Sequence, residues 1–272
     1  GINLEDISAP RCFEIEKRLK QRLDIPVMHD DQHGTAVVIL AAIVNSLKVV
    51  KKDLSKVRIV VNGLGAAGVA TCKILVAAGA RHVFGCDKKG VVFVSSEEKD
   101  LNDFSFEGIL DNEPIMTLRE AMCLADIFIG VSTGNILSMN DLKLMRKDRI
   151  VFAMANPEPE VDPNKAAKAC KIFATGRSDF PNQVNNVLAF PGIFKGALAV
   201  RAKTINEAMK LAAAKAIADL ISADQLGEEY IIPSIFDKRV VPAVATAVAQ
   251  AAIRTQVSRD ELRSSGSPGD GL

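Results

Sequence analysis

Three closely spaced glycines follow an apolar run, Val57–Asn62 (VRIVVN), in the pattern G-x-G-x-x-G. Gly63 permits a sharp turn, Gly65 lets the backbone approach a pyrophosphate, and Gly68 lets a following helix pack on the strand. The N-terminus of that helix would also attract the anion. A packing turn without nucleotide would use the same glycines, but the strand and helix context favours dinucleotide binding. The residues expected to contact the cofactor are Gly63, Leu64, Gly65, Ala66, Ala67 and Gly68.

An acidic residue, Asp87, ends the next predicted strand. A carboxylate at this point can accept hydrogen bonds from the adenosine ribose hydroxyls, which favours NAD. The two residues that follow, Lys88 and Lys89, could instead meet the 2′-phosphate of NADP. The sequence therefore predicts NAD as the coenzyme and leaves NADP as the alternative.

Two acidic pairs, Glu5-Asp6 and Asp30-Asp31, stand beside predicted helix starts. Either pair could simply supply the negative charge that a helix N-terminus favours. The second pair, however, lies in a short predicted turn, His29–Gly34 (HDDQHG), that leads into a helix expected to be buried. Carboxylates entering a buried element need a counter-charge, and carboxylates without thiols suit Mg²⁺ or Mn²⁺. His29 and His33 are interpreted as structural rather than as metal ligands.

The composition is that of an ordinary globular protein. The 272 residues include 34 Lys and Arg against 33 Asp and Glu, a net charge of +1, so no basic excess is offered to nucleic acid or to a membrane surface. The five cysteines form no C-x-x-C pair and are expected to be buried, reduced thiols of a cytoplasmic protein. The longest apolar run, Ala36–Val44, is too short to span a bilayer.

The elements that must position these residues form a strand–helix alternation. Ser8 is expected to cap a first helix, with Pro10 in its first turn. The apolar face of that helix would consist of Cys12, Ile15, Leu19 and Leu23. The other predicted helices are 35–51, 66–78, 204–223 and 241–257, and the predicted strands are 57–62, 81–86, 126–131 and 149–153. This order predicts an α/β fold: a Rossmann-like doubly wound parallel sheet with flanking and C-terminal helices.

Several long strings resemble the bacterial type of malic enzyme. They are Gly1–Glu16 (GINLEDISAPRCFEIE), Pro26–Ala36 (PVMHDDQHGTA), Asn156-Pro157 and Ala174–Gly192 (ATGRSDFPNQVNNVLAFPG). The resemblance runs from residue 1 to about residue 257. It implies a homodimeric enzyme that oxidatively decarboxylates L-malate to pyruvate and CO₂ while reducing NAD(P).

The resemblance also implies roles for individual residues. Glu5, Asp6 and Asp31 would hold the divalent metal, Mg²⁺ or Mn²⁺. The neighbouring Asp30 would orient the catalytic lysine or assist proton transfer. Asn156 and Asn186 would contact malate near the nicotinamide, and Asn156 would also contact the cofactor. Without the resemblance, Asn186 would be interpreted as a turn residue.

Three segments follow from these assignments. Residues 1–34 are interpreted as a remnant of a substrate- and metal-binding region, and residues 35–257 as the NAD(P)-binding domain with its C-terminal helices. Residues 258–272 are expected to be a disordered tail, and the polar, aperiodic residues 94–112 a surface connection.

The family's tyrosine acid and lysine base belong to an N-terminal domain that this chain is expected to lack. The only tyrosine, Tyr230, lies in a segment (EEYIIPS) that matches a different part of the family. The chain alone is therefore predicted to bind dinucleotide but to turn over little or no malate. The alternatives are malolactic conversion with retained NAD, and a non-catalytic dinucleotide-binding module.

Overall fold

The N-terminal part of the chain forms a small parallel sheet beside the main body. The computed structural model describes residues 1–95 and 114–259. Strand β1 (Ile2–Leu4) pairs with β2 (Val27–His29), and helix α1 (Arg11–Arg22) connects them. Helix α2 (Asp30–Val50) begins directly after β2. The small sheet therefore brings the segment before α1 alongside the first turn of α2.

The main sheet has six strands, and one of its two edge strands runs antiparallel to its neighbour. The strands are β3 (Arg58–Asn62), β4 (His82–Asp87), β5 (Gly90–Val94), β6 (Ile127–Gly130), β7 (Ile150–Ala153) and β8 (Ile172–Thr175). Their order is β5-β4-β3-β6-β7-β8, and β3 to β8 are parallel apart from β5. Because the order reverses direction between β3 and β6, the carboxyl ends of these two strands border the crevice where such sheets bind ligands.

Helices cover both faces of this sheet. They are α3 (Ala66–Ala77), α4 (Leu118–Leu124), α5 (Met139–Leu144), α6 (Pro163–Ala169), α7 (Phe190–Ala199), α8 (Glu207–Ala218) and α9 (Val240–Arg254). Because side chains alternate along a strand, Ile59 and Val61 pack on the side of α2, α3 and α7–α9, whereas Val60 packs on the side of α4–α6. The predicted Rossmann-like doubly wound fold is confirmed.

Helix α2 runs through the larger of the two cores and contacts α3 and α8. By length and composition alone, this 21-residue helix could cross a membrane, but 67% of its most apolar stretch is buried inside the chain's own core. Apolar residues all round a helix are expected when neighbouring helices and a sheet surround it. The burial of α2, predicted from its composition, is confirmed.

The start of α2 differs from the prediction. The helix begins at Asp30 rather than Thr35, so the acidic pair lies in the first helical turn and not in a turn before it. Carboxylates are favoured in a first turn because the free N–H groups there carry partial positive charge. Strand β2, which pairs with β1 over three residues, ends at His29 and sets this boundary.

Two smaller predictions are also corrected. Ser8 does not cap α1, because the residue before the helix is Pro10. The Ser8 carbonyl oxygen accepts from the Cys12 amide at 3.1 Å, and its hydroxyl accepts from the Arg11 guanidinium at 3.3 Å instead of from a backbone amide. All five cysteines are free thiols, but Cys123 is exposed and Cys170 half-buried. Cys123 is exposed because it lies on the solvent side of the short helix α4, with its Sγ 3.4 Å from the Arg119 carbonyl oxygen.

Most of the predicted surface connection, residues 94–112, and most of the predicted tail, residues 258–272, lie outside the described residues. Val94 itself is the last residue of β5. The predicted division of the chain at residues 34 and 35 stays a prediction.

Candidate active site

The glycine turn joins the end of β3 to the start of α3. Gly63 has φ of 103°, and its amide donates to the Cys86 carbonyl oxygen at 2.9 Å, which ties the turn to β4. A Cβ at Gly68 would lie 1.7 Å from the Gly63 oxygen, so only glycine allows the helix this close to the turn. A Cβ at Gly65 would meet no atom within 4 Å. The open space therefore lies where a pyrophosphate would approach the backbone.

Two cavities meet above this turn, and Ser132 lines both of them. The larger, of about 700 Å³, lies over the glycine turn and the end of β4. Its polar lining includes Asn62, Asp87, Lys88, Lys89, Thr117 and Arg119. The smaller, of about 430 Å³, lies over the ends of β6, β7 and β8. Its polar lining includes Asp31, Thr35, Asn156, Arg177, Asn185 and Asn186.

Asp87 is the last residue of β4 and lines the larger cavity, and its predicted contact with the ribose stays a prediction. Its Oδ1 accepts a hydrogen bond from the Lys89 amide at 2.7 Å, which closes the tight turn between β4 and β5. Exposed basic side chains surround it, because Lys88, Lys89 and Arg119 line the same cavity. Arg119 was not found by sequence reasoning, because it lies far along the chain on α4.

The acidic residues predicted to hold a metal gather where β1, β2 and α2 meet. Asp31 accepts a hydrogen bond from the Asp6 amide through Oδ2 at 2.8 Å, and the same oxygen lies 3.6 Å from His29 Nε2. Asp6 has φ of 57°, a left-handed conformation that turns its amide towards Asp31. This hydrogen bond joins two residues that are 25 positions apart and so closes the segment between them into a loop.

Asp30 lies behind Asp31 and is fully buried. Its Oδ2 accepts from the side-chain amide of Asn186 at 2.7 Å, whereas its Oδ1 is buried and makes no hydrogen bond to any described residue. Burial and the nearby charges of Glu5 and Asp31 raise the pKa of Asp30 to about 7, although the Asn186 hydrogen bond opposes the shift. The carboxyl groups of Glu5, Asp30 and Asp31 therefore lie close enough together to oppose the ionisation of Asp30.

Carboxylate oxygens are the ligand type that a hard divalent cation prefers, but these side chains do not converge on a common position. Within residues 1–95 and 114–259, no group of three His, Cys, Asp or Glu side chains converges closely enough to hold an ion. Asp6 meets Asp31 through its backbone, and Glu5 is exposed. The unpartnered Asp30 oxygen and the mutual repulsion of the neighbouring carboxyl groups nevertheless favour a cation over any anionic ligand at this place.

A second polar network lies on the other side of the first turn of α2. Glu16 accepts from the His29 amide at 3.0 Å, contacts His33 Nε2 at 3.0 Å and pairs with Lys20 at 2.8 Å. Burial and the Lys210 ammonium, 3.3 Å from Nδ1, lower the pKa of His33 to about 4. We therefore assign a neutral ring that donates Nε2–H to Glu16. His33 is thus held by Glu16 and Lys210, and the interpretation of both histidines as structural rather than metal-binding stays a prediction.

Asn156 and Asn186 line the smaller cavity from different elements. Asn156 follows β7, and Asn186 opens a single 3₁₀ turn (Asn186–Leu188) capped by the side chain of Asn185. The cavity also receives Arg177, whose guanidinium pairs with Asp179 at 2.7 Å and lies 5.5 Å from the Phe180 ring. Arg177 belongs to the string ATGRSDFPNQ, in which no local signal marks it as a residue that lines this cavity. Tyr230 does not line either cavity.

A doubly wound sheet with an open glycine turn at its crevice defines the class of Rossmann-like NAD-binding domains. Comparison with protein-family models agrees, because residues 32–253 match the model described as "Malic enzyme, NAD binding domain". The chain belongs to the malic enzyme family.

Individual relatives give the extent of this similarity. The chain is 55% identical to the NAD-dependent malic enzyme of Geobacillus stearothermophilus, over 96% of this chain and 55% of the relative. It is 51% identical to the bifunctional malic/malolactic enzyme of Bacillus subtilis, over 95% of this chain and 64% of that relative. The crystal structure of malic enzyme from Pyrococcus horikoshii superimposes with a TM-score of 0.85 at 42% identity, over 96% of this chain and 63% of that one. The chain thus spans between about half and two thirds of these relatives.

Proposed function

We propose that this chain forms the NAD(P)- and metal-binding part of an enzyme that oxidatively decarboxylates L-malate to pyruvate and CO₂. The observation that carries the proposal is the junction of the two cavities at Ser132. It connects an open dinucleotide turn to a chamber bordered by one carboxylate, Asp31, and by three carboxamides, Asn156, Asn185 and Asn186. A bound dinucleotide extending past Ser132 would bring its nicotinamide beside these groups.

The dinucleotide would be held mainly by backbone N–H groups and by the fit of the cavity around it. The free N–H groups at the start of α3 and the space above Gly65 accept a pyrophosphate, and the larger cavity accepts the adenosine. The dinucleotide supplies the hydride acceptor of the reaction. Asp87 favours NAD through its ribose contact, while Lys88, Lys89 and Arg119 supply positive charge for the 2′-phosphate of NADP.

The divalent cation would be held by Glu5, Asp6 and Asp31, with Mg²⁺ or Mn²⁺ preferred by the oxygen ligands. When bound, it supplies Lewis-acid polarisation of the substrate oxygen. Asp31 borders the smaller cavity, so it is the ligand that connects the cation to the substrate chamber. Asp30 keeps one carboxylate oxygen free for a proton or for a lysine ammonium, because Asn186 occupies only the other.

The substrate would be oriented by neutral donors and one cation. The side-chain amides of Asn156 and Asn186 can donate to malate carboxylate oxygens, and Arg177 adds positive charge at the opposite border. Among the described residues that line this cavity there is no lysine or tyrosine. We therefore propose that the acid–base pair comes from a further domain of the same protein and that this chain alone turns over little malate.

Malate-dependent production of NADH and NADPH by the native protein with Mn²⁺ tests this function. Turnover that is abolished by Asp31→Asn, while NAD binding stays intact, would support it. Turnover that is independent of divalent cations would contradict it. An intact mass well above the 29.2 kDa of this chain would support the further domain, and robust turnover by this chain alone would contradict it.

A second candidate is malolactic conversion, which the similarity to the bifunctional Bacillus subtilis relative favours. The same residues would bind malate and dinucleotide, but NADH would be retained and consumed within each turnover. Release of NADH in proportion to the malate consumed would support oxidative decarboxylation, and lactate without released NADH would support the alternative.

A further inference from the structure

A carboxylate that neither cavity exposes joins the carboxyl ends of β6 and β7. The side chain of Glu160 is fully buried. Its Oε1 accepts from the Ser132 amide at 3.1 Å, and its Oε2 accepts from the Ala155 amide at 3.0 Å. Ser132 follows β6 and Ala155 follows β7, so one side chain is bonded to the backbone beyond both strands.

The backbone of the same segment adds two more connections. The Pro159 carbonyl oxygen accepts from the Asn135 amide, and the Glu160 carbonyl oxygen accepts from the Leu137 amide, each at 2.9 Å. The segment that ends at Glu160 is thereby fixed against the segment that follows β6.

The sheet leaves room for this carboxylate by placing a glycine beneath it. A Cβ at Gly130, the last residue of β6, would lie 2.2 Å from Glu160 Cδ and 2.4 Å from Oε1. Any other residue at this position would displace the carboxyl group. Burial raises the pKa of Glu160, and the Ala155 and Ser132 amides oppose that shift. Burying a carboxylate is costly unless hydrogen bonds replace its lost hydration, and the two backbone amides supply such bonds here.

The residues that Glu160 holds are those that shape the junction of the two cavities. Ser132 lines both cavities, and its Oγ accepts from Asn62 Nδ2 at 2.8 Å. Ala155 and the adjacent Asn156 line the smaller cavity. A continuous chain of hydrogen bonds therefore runs from the end of β3, through Ser132 and Glu160, to the end of β7.

We infer that Glu160 is a positioning residue that fixes the distance between the Ser132 and Ala155–Asn156 segments, and so shapes the chamber for the nicotinamide. The inference rests on the proposed dinucleotide-binding function. Glu160 touches neither cofactor nor substrate and acts through the backbone groups it holds. Replacement by glutamine keeps the size but turns an amide N–H₂ group towards one of the two backbone amides, so one of the two hydrogen bonds is lost.

A matched control exists at the opposite ends of the strands, where their amino ends lie. Asp126 is also buried and also accepts a backbone amide, from Arg58 at 3.0 Å, as well as the Lys52 ammonium at 2.8 Å. It joins the amino ends of β3 and β6, away from both cavities. Asp126→Asn should therefore lower stability without changing the dinucleotide site.

The experiment is NADH and NADPH binding to the complete chain, measured by nicotinamide fluorescence well below the thermal unfolding midpoint. E160Q is expected to weaken binding about 10- to 100-fold, as displaced supporting groups commonly do. D126N is expected to bind as the unmodified chain does, even with an equal loss in the unfolding midpoint. E160D, which keeps a carboxylate, is expected to recover part of the affinity.

Four outcomes separate the possibilities. If the unmodified chain binds neither dinucleotide, the proposed function fails. If it binds and E160Q binds no more weakly than D126N, only the role of Glu160 is overturned. The same holds if E160D recovers nothing relative to E160Q. If E160Q and E160D both fail to fold while D126N folds, Glu160 is a folding residue and the inference is also overturned.

Discussion

The side-chain amide of Asn186 donates a hydrogen bond to Asp30 Oδ2 at 2.7 Å, although the two residues are 156 positions apart in the chain. The bond connects the first turn of α2 to the 3₁₀ turn that borders the smaller cavity. It is the donor that opposes the rise in the pKa of Asp30 caused by burial and by the charges of Glu5 and Asp31. A residue that lines the smaller cavity therefore influences the ionisation of the acidic cluster.

Replacement of Asn186 by alanine should weaken cation binding. Asp30 would lose its donor while still buried beside Glu5 and Asp31, so the carboxylates would spread or take up a proton. We expect the affinity for Mn²⁺, measured by calorimetry, and the malate turnover of the native protein to fall about 10- to 100-fold.

Asn206→Ala is the control for that variant. Asn206 caps α8 by accepting from the Met209 amide at 3.1 Å and is not a member of the acidic cluster. Its loss should cost about 1 kcal/mol of stability and leave the Mn²⁺ affinity unchanged. Equal Mn²⁺ affinity in Asn186→Ala and in the unmodified chain would contradict the assignment of the cluster.

Replacement of Gly65 by valine should remove dinucleotide binding without unfolding the chain. The new side chain would enter the open space above the turn, and φ of −82° at Gly65 is accessible to any residue. We expect NADH affinity to fall below detection, with an unfolding midpoint close to that of the unmodified chain.

Gly227→Val is the matched control, because a Cβ at Gly227 also meets no atom within 4 Å. It should bind NADH normally. Normal NADH binding by Gly65→Val would show that the pyrophosphate does not lie over this turn.

Replacement of Asp87 by serine should shift coenzyme preference towards NADP. The variant would lose the acceptor for the ribose hydroxyls and remove a negative charge that repels a 2′-phosphate, while Lys88, Lys89 and Arg119 remain. The ratio of the NADP to the NAD dissociation constant is expected to fall about 10-fold or more, equivalent to roughly 1.4 kcal/mol.

Asp53→Ser controls for the local turn, because Asp53 Oδ1 accepts the Ser55 amide at 2.8 Å just as Asp87 accepts the Lys89 amide. It should leave the ratio unchanged. An unchanged ratio in Asp87→Ser would place the ribose elsewhere. Arg119→Ala should weaken NADP more than NAD.

Replacement of Glu16 by glutamine should destabilise the fold in a pH-dependent manner. Burial alone would raise the pKa of Glu16, but the His33 and Lys20 contacts reverse this and hold the pKa below its ordinary value. Such a carboxylate stabilises the fold above its unfolded pKa, about 4.3, and the stabilisation is lost as the pH falls through the folded value. The difference in unfolding free energy should therefore be constant from pH 7 to about pH 5 and shrink below pH 4, as measured by urea unfolding.

Glu14→Gln, on the same helix, provides the comparison. Its side chain is 64% exposed and lies 3.9 Å from Arg18. It should change stability little at any pH. A Glu16→Gln effect that persists unchanged at low pH would show that packing, and not ionisation, causes the loss.

The sequence predicted the elements around the glycine turn to within a residue or two, because their signals are local. Strand β3 was predicted at 57–62 and lies at Arg58–Asn62, and α3 was predicted at 66–78 and lies at Ala66–Ala77. An apolar run, a fixed glycine spacing and a second apolar run require no knowledge of the remaining chain.

The polar groups that organise the site could not be predicted in this way. The apolar stripe expected on α1 included Ile15, which is exposed, whereas the neighbouring Glu16 is buried against α2. Glu160 belongs to a short polar string, NPEPE, that is typical of an exposed loop. Its burial depends on Gly130, Ser132 and Ala155, which the fold brings together from other parts of the chain.

Helix α2 has one further consequence, which concerns folding rather than chemistry. Its first turn carries Asp30 and Asp31, and its remaining turns form the middle of the larger core. A cation that binds the first turn only when the helix is formed must add its binding free energy to the stability of that core. Under the proposed metal binding, cation affinity and folding stability would be linked through one continuous helix, and Mn²⁺ should raise the unfolding temperature of the whole larger core.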